Sequence, residues 1–396
     1  MRALLVTSGY PPEHSGSGRR LHETYMRLRA VHPELSWRVL TRRRGDAAVE
    51  GPESVTAVPA PASSGVLAQP GLWLREAAAA RRLLAGGLLA GIDLVHCAGF
   101  TWLTPLVARA ARERGVPVVR ELTSQGDGGV GRSLGGRLFA VPVRGLNRLA
   151  SLLVAISPAL GRDARAAGAA APLWVRPNPT DLARFRLPAP DERRVAREFL
   201  ATLLPGLEDR HPVVFQLGRI RPLKNQLLTA QAMRLLPPEF RLVLAGPVFP
   251  EDGGYLARIR EAAAGPDLAG RVAVLADYLP DPERIFRGAD ILAFPSTHEG
   301  LGNVMLEALC SGLPVAAAHI PGVTDWIVRP GENGALCERT AADLARCLAE
   351  AGRLLPRREA LAAAAAGRFG AEFLDGRLWD LMAALAHGEG LPADIP

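Results

Sequence analysis

What most constrains this chain is an alternation that runs twice along it. In the first half, short runs rich in Val, Ile and Leu occur at Arg2–Thr7, Trp37–Leu40, Leu94–Cys97, Val116–Val119, Leu152–Ile156 and Leu173–Val175. Longer Ala/Leu/Arg-rich stretches of helical character separate them, such as that from Arg19 to Ala30. Continuous apolar runs spaced by helices predict βαβ units, because a parallel sheet is covered on both faces and its strands need not alternate polar with apolar. Around Arg176–Asp191 (RPNPTDLARFRLPAPD) prolines cluster and the periodicity fades, as expected of an interdomain linker. The alternation then restarts, with strands expected at Val213–Leu217, Leu242–Ala245, Val272–Leu275, Ile291–Phe294 and Val315–Ala318 and helices at Asn225–Leu235 and Asn303–Ser311. From Ala341 to His387 the pattern is helical, interrupted at Pro356. A chain of 396 residues, at roughly 100–200 per domain, accommodates two such α/β domains. The expected architecture is therefore two doubly wound parallel-sheet domains facing each other across a cleft. Ligands in such sheets bind beyond the carboxyl ends of the strands, so the loops that follow strands should carry the chemistry.

Composition closes off other classes. Hydrophobic residues at 48% and charged residues at 22% suit full-sized cores and exclude a disordered, collagen-like or small disulfide-bonded chain. The longest nearly apolar stretch, Leu83–Ile92, is too short to span a bilayer and is broken by glycines. Met1–Thr7 runs directly into Ser8-Gly9-Tyr10-Pro11-Pro12, which is no signal-peptide core. Cys97, Cys310, Cys337 and Cys347 form no CxxC pair and no cluster with histidine, so neither structural zinc nor a disulfide framework is expected. A cytoplasmic location follows as the expectation. The formal net charge is +7, yet of 47 Lys and Arg residues only Lys224 is lysine. Where arginine has replaced lysine almost everywhere, a retained lysine points to a role that needs a compact ammonium rather than a guanidinium fork. The positive balance itself reads either as a solvated surface or as attraction to phosphates or an anionic membrane.

Two segments concentrate the candidate chemistry. In Phe294–Pro314 (FPSTHEGLGNVMLEALCSGLP) a strand ends at Phe294, a polar loop follows through Gly302, and a helix opens near Asn303. Glycines at 300 and 302 let backbone approach a ligand, and the first amides of the helix lack intrahelical partners, which suits an anion. Glu299 lies in that loop and Glu307 on the helix; position 302 is Gly, so His298-Glu299 is not the start of an HExxH metal motif. In Val213–Gln226 (VVFQLGRIRPLKNQ) a strand delivers Gly218 and Arg219 to a loop, and Lys224 precedes the next helix. Two cations at a rigid strand end would suit a diphosphate; the plainer alternative is that Arg219 pairs with a surface carboxylate. The Ser8–Gly18 loop is glycine-rich but is not GxGxxG, since Leu21 stands at the third glycine position.

Taken together these residues resemble the family-4 retaining glycosyltransferases of the GT-B class, the group 1 glycosyltransferases. The resemblance rests first on the E-x7-E motif Glu299–Glu307, then on Gly218-Arg219 with Lys224. It extends to the PPxxxG loop (Pro11, Pro12, Gly16), to Ser157 in AISPAL, and to Asn178, Asp181 and Phe185, with Pro179 where a glycine is usual. Pro321–Gly334 also matches, with Asp325 where glutamate is commoner. The resemblance implies an N-terminal Rossmann-like acceptor domain over residues 1–186, a donor domain over 187–370, and a terminal helix over 371–396 crossing back to the first. It implies that Arg219 and Lys224 hold the donor diphosphate and stabilise charge on the leaving nucleoside diphosphate, a contribution worth on the order of 10²–10³ in rate per group. Glu307 would accept from ribose hydroxyls, and Glu299 would face hydroxyls of the donor sugar. Around them Gly218, Gly300, Leu301, Gly302, Asn303 and Val304 would line sugar and phosphate, and Gly16 would allow close approach from the first domain. Retention by front-face attack needs no protein nucleophile, metal or other cofactor. The donor expected is a nucleoside-diphosphate sugar, UDP first with GDP or ADP as alternatives, its base contacted by main chain near Asp277–Leu279. The acceptor, a small molecule, glycan or lipid-linked hydroxyl, would lie near Tyr10, His96 and Thr123. Relatives carry a histidine after the fifth strand where this chain has Thr123 and Ser124, and His96 reads equally as a satisfied histidine at a strand end.

Peripheral membrane contact is the further implication of Arg132–Leu153 (RSLGGRLFAVPVRGLNRLASLL); the plainer reading is an amphipathic helix kinked at Pro142, with Arg42-Arg43-Arg44 a solvated loop. Rival functions are another GT-B reaction on a nucleotide sugar, such as epimerisation or phosphorolysis, and a non-catalytic GT-B partner protein. Phosphorolysis would need a pyridoxal-phosphate lysine, and the only lysine stands at the diphosphate position. A degenerate clamp would mark a partner protein, whereas Arg219, Lys224, Glu299 and Glu307 are all present. Nucleic acid is not expected as a ligand: aromatics are 5% of the chain and do not interleave with basic residues.

Overall fold

The computed structural model of the chain describes residues 1–11, 16–43, 50–59, 69–130, 134–392 and 395. Pro12, Arg44 and Arg132, which the sequence reading singled out, lie outside the described residues. The chain divides into two compact units, Met1–Asn178 together with Leu374–Pro396, and Pro179–Phe373.

The first unit is built on seven strands, β1 (Arg2–Thr7), β2 (Ser36–Arg43), β3 (Ser54–Pro59), β4 (Leu94–Ala98), β5 (Val118–Leu122), β6 (Leu152–Ala155) and β7 (Leu173–Val175), ordered β3-β2-β1-β4-β5-β6-β7 with every neighbouring pair parallel. The period of two along β1 sends alternate side chains to opposite faces. Leu4 and Val6 pack with Val95 and Cys97 of β4 and with Val107, Ala108 and Ala111 of helix Leu103–Glu113. Ala3 and Leu5 pack on the other face with Tyr25 and Leu28 of helix Gly16–Val31. That second face is completed by Leu374, Leu378, Leu381 and Met382, which fall at helical spacing on Ala371–Ala386. Asp375 of the same helix is buried and receives Arg176 Nη2 at 2.6 Å and Arg27 Nε at 2.7 Å, so the C-terminal segment is held by charge as well as by its apolar stripe.

The second unit carries β8 (Val213–Leu217), β9 (Arg241–Ala245), β10 (Val272–Leu275), β11 (Ile291–Phe294), β12 (Val315–Ala318) and β13 (Gly334–Cys337), in the order β10-β9-β8-β11-β12-β13, again all parallel. Counting from each unit's first strand, both sheets share the doubly wound order 3-2-1-4-5-6, with one further strand in the first. The order reverses between β1 and β4 in one unit and between β8 and β11 in the other. At each reversal the following connections leave in opposite directions, opening a crevice at the carboxyl ends.

The strands expected from apolar runs are present within a few residues of their expected limits. Val116–Val119 begins instead at Val118, because Pro117 has no N–H for the ladder. Two strands had no apolar run to announce them, β3 and β13, and both are sheet edges. β3 is mostly half-exposed and β13 opens on Gly334. The long C-terminal helical pattern is three helices, Ala341–Gly352, Arg358–Phe369 and Ala371–Ala386, broken by a 3-10 turn at Leu355–Arg357 and by Gly370.

Candidate functional site

In the second unit the loop after β8 and the loop after β11 adjoin at the point where the strand order reverses. Gly218 follows β8 directly, at φ +153°, and a Cβ on Gly246, which follows the neighbouring β9, would lie 2.2 Å from Gly218 O. The two strand ends therefore approach as closely as backbone allows. The loop then runs through Arg219 to a 3-10 turn, Pro222–Lys224, and into Asn225, the one non-glycine at positive φ (+59°) among the described residues. Asparagine tolerates that conformation better than other side chains. Gln216 Nε2 donates to Lys224 O at 2.7 Å and Gln226 Nε2 to Arg219 O at 3.0 Å, so the loop is braced from the strand before it and the helix after it.

The loop after β11 passes Ser296–Gly302 and turns into helix Asn303–Cys310. Gly302 caps that helix at φ +87°, with no room for a side chain: a Cβ would meet Phe294 Cζ at 2.5 Å. Leu301 is buried, pinning the loop, while Gly300, Gly302 and Val304 are half-buried and Asn303 is exposed. Thr297 N–H donates to Leu223 O at 2.9 Å, and Lys224 Nζ forms a short ion pair with Glu299 Oε1. Lys224 Nζ also lies 5.8 Å from the Phe294 ring. The two loops expected to hold one ligand are thus joined directly.

Arg219 is not open to solvent on every side. Its Nε and Nη2 donate to Asp252 Oδ2 at 3.0 and 2.6 Å, Nη2 also reaches Glu251 Oε1 at 2.6 Å, and Phe249 lies under the guanidinium at 3.8 Å. The plainer alternative for Arg219, pairing with a carboxylate, is what the structure displays. Phe249, Glu251 and Asp252 escaped the sequence reading. They follow β9, next to β8, and the signal that could have found them is their place beyond a carboxyl end in the doubly wound order.

Glu307 lies on the second turn of Asn303–Cys310 and is half-buried. Burial pushes its carboxyl up to about 7, with the nearby Arg184 charge opposing and Glu283 adding to the rise. Arg184 is itself committed to Glu283, through Nε at 3.3 Å and Nη2 at 2.8 Å. Arg184 comes from the Asn178–Phe185 segment, so that motif meets the helix of the E-x7-E motif through electrostatics. Asp325 caps its own turn by accepting from Gly322 N at 2.6 Å. Asp277–Leu279 follows β10, with Tyr278 exposed.

In the first unit two candidates for the acceptor side, His96 and Tyr10, are buried. His96, on β4, is fully buried; its Nδ1 meets Tyr25 OH at 3.1 Å and its Nε2 lies 3.4 Å from Glu121, which is paired with Arg20. Among the described residues Nε2 makes no hydrogen bond, so the ring is buried with one nitrogen bonded and the other not. Tyr10 is equally buried, its hydroxyl bonded to His22 Nδ1 at 3.0 Å and to Trp37 Nε1 at 3.3 Å. Thr123 is half-buried after β5 and donates through N at 2.8 Å and Oγ1 at 3.1 Å to Asp127 Oδ2. Asp127 is in turn held by buried Arg120 at 2.8 Å, which fixes the loop's shape. Gly16 is the first residue of helix Gly16–Val31, following the β1 loop. Among the described residues no helix is long and apolar enough to cross a membrane, and Pro142 lies inside helix Leu134–Leu149.

Comparison with known proteins decides the family. Residues 15–179 match the family described as glycosyl transferase 4-like domain, and residues 205–368 match glycosyl transferases group 1. The chain belongs to the group 1 glycosyltransferases. The fold of this glycosyltransferase family is found in the solved structure of Anabaena HepE in complex with UDP, at TM-score 0.74 and 22% identity over 97% of this chain and 100% of that one. By sequence, the D-inositol 3-phosphate glycosyltransferase of Rhodococcus jostii is 38% identical over 189 residues, 44% of this chain and 39% of that protein. The sulfoquinovosyl transferase SQD2 of Arabidopsis thaliana is 32% identical over 225 residues, 55% of this chain and 40% of that protein. The alignments thus span about two fifths of the length of these curated glycosyltransferases. The two sheets with their shared strand order make this a GT-B glycosyltransferase fold.

Proposed function

We propose that the chain transfers a sugar from a nucleoside-diphosphate sugar to an acceptor hydroxyl with retention of configuration, and that the donor binds at the β8–β11 crevice. The observation that carries this reading is the joining of the Arg219–Lys224 loop to the Glu299–Glu307 loop and helix at the reversal of strand order. In this arrangement Lys224 and Arg219 take the diphosphate and offset the charge that develops on it as the glycosidic bond breaks. Because both are fixed before the reaction, no reorganisation is needed at the transition state. The amides opening Asn303–Cys310 add partial positive charge from the same side. Glu307 accepts from the ribose hydroxyls, and those hydrogen bonds favour its ionised form against the burial that raises it. Glu299, already bonded to Lys224, meets the donor sugar's hydroxyls. Front-face attack routes the acceptor's proton to the departing phosphate oxygen, so neither carboxylate serves as nucleophile and the pair is not a glycosidase acid/base couple.

A uridine donor is favoured by HepE, whose structures hold UDP and UDP-glucose. GDP and ADP sugars remain alternatives within the same clamp. Residues 1–178 with 374–396 form the acceptor unit in this reading. The test is a thermal-shift panel of UDP, GDP, ADP, CMP, NAD and a short duplex DNA at equal ionic strength. A ligand at ~100 times its dissociation constant adds about 2.7 kcal/mol to the native state, a shift of several degrees. One nucleoside diphosphate should stand out, and transfer from the corresponding radiolabelled sugar nucleotides should follow. A response to DNA with none to any nucleoside diphosphate overturns the proposal.

A further inference from the structure

The short connection between β9 and helix Gly253–Ala264 puts Phe249, Glu251 and Asp252 around one guanidinium, that of Arg219. The two carboxylates hold it in different ways. The Asp252 side chain is 12% exposed and takes both Nε and Nη2 on a single oxygen, which fixes the edge and plane that Arg219 presents. The Glu251 side chain is 65% exposed and takes one donor only. An ion pair that open to water contributes little, so Glu251 leaves at little cost and Asp252 does not.

The charges around Arg219 and Lys224 make that difference matter. Arg219 and Lys224 bring two positive charges; Glu251, Asp252 and Glu299 bring three negative ones. Among these side chains the carboxylates outnumber the cations, so a diphosphate gains when one withdraws, and Glu251 is the one free to do so. Its position on Nη2 is one that a phosphate oxygen can fill with the same geometry.

Resting on the donor reading above, we infer that Glu251 is a placeholder anion: it occupies Nη2 of Arg219 and is displaced by the diphosphate, while Asp252 stays and positions the guanidinium. After transfer Glu251 competes with the nucleoside diphosphate for the same donor and speeds its release. Removing a buried or structural contact would weaken ligand binding; removing a competitor strengthens it, and the sign of the effect separates the two roles.

The experiment is calorimetric titration of the full chain with UDP, GDP and ADP at low and physiological salt, comparing wild type, Glu251→Gln, Glu251→Lys and Asp252→Asn. Glu251→Gln should bind the preferred nucleotide about two- to fivefold tighter with a slower off-rate, and Glu251→Lys tighter still. The gain should shrink as the Debye length falls from about 30 Å at 0.01 M salt to about 8 Å at 0.15 M. Asp252→Asn removes an equal charge but frees the guanidinium, so it should tighten binding less than Glu251→Gln. Equal or weaker binding by Glu251→Gln, or equal tightening by Asp252→Asn, overturns the placeholder role while wild-type binding keeps the donor reading. If wild type binds none of the three nucleotides, the donor reading falls and the placeholder falls with it.

Discussion

Replacing Glu307 by glutamine should stabilise this protein at high pH and leave it nearly unchanged at low pH. The carboxyl is lifted from its ordinary 4.5 to about 7 by burial, so between those values the folded state binds more protons than the unfolded one. Stability then falls as pH rises through that window, and the cost is fully present above the folded value. Each pH unit of displacement is worth about 1.4 kcal/mol, which gives a cost of about 3 kcal/mol at pH 8.5 and under 1 kcal/mol at pH 5. Glutamine keeps the shape and removes the charge, so Glu307→Gln should melt several degrees above wild type at pH 8.5 and within a degree or two of it at pH 5. The same variant should lose affinity for the nucleoside diphosphate, because a neutral amide accepts more weakly from ribose hydroxyls than a carboxylate does. Scanning calorimetry at the two pH values, with nucleotide titration alongside, reads both effects. A melting difference that is the same at pH 5 and pH 8.5 would refute the burial argument. Unchanged nucleotide affinity would remove the ribose assignment while leaving the burial argument in place.

Two further perturbations probe the clamp. As the chain's only lysine, Lys224 should be the sole side chain modified by an amine-directed reagent, and the preferred nucleoside diphosphate should protect it; peptide mapping with and without nucleotide reads this, and undiminished labelling would place the diphosphate elsewhere. Lys224→Arg keeps the charge, but its planar fork replaces a stem packed against Gly218 and an ammonium set between Glu299 and Phe294, so nucleotide affinity should fall about tenfold or more. Gly302→Ala puts a Cβ 2.5 Å from Phe294 Cζ at φ +87°, and should destabilise the chain by about 1–3 kcal/mol while displacing the Gly300–Val304 loop. A denaturation midpoint matching wild type would show that the loop relaxes without cost.

The legible part of the fold was its central strands. β1, β8, β11 and β12 are buried on both faces, so their sequences are continuous apolar runs and could be placed almost to the residue. β3, mostly half-exposed, and β13, a four-residue GALC strand opening on glycine, carry no continuous apolar run. The candidate donor-side residues come from a similarly local signal. Strand ends, glycines and a solitary lysine follow one another closely in the chain, so Gly218, Arg219, Lys224, Glu299, Gly302 and Glu307 are proposed from spacing and family resemblance. The surroundings of His96 and Tyr10 were not legible, because a polar residue near a strand end reads the same whether it faces a crevice or a buried partner. The side chains they meet, Tyr25, Glu121, His22 and Trp37, are distant along the chain.

By itself, then, the sequence determined two doubly wound sheets, the loops that would face a ligand, and the residue types able to hold a diphosphate. These are local properties: strand propensity, glycine at positive φ, and charge at a strand end. Only the tertiary structure decided that Asp252 and Glu251 converge on Arg219, that Glu307 is buried enough to titrate near neutrality, and that Asp375 draws the last helix onto Arg176. Those outcomes depend on which elements pack together and on how much water the packing removes, and neither quantity is carried by any single stretch of residues.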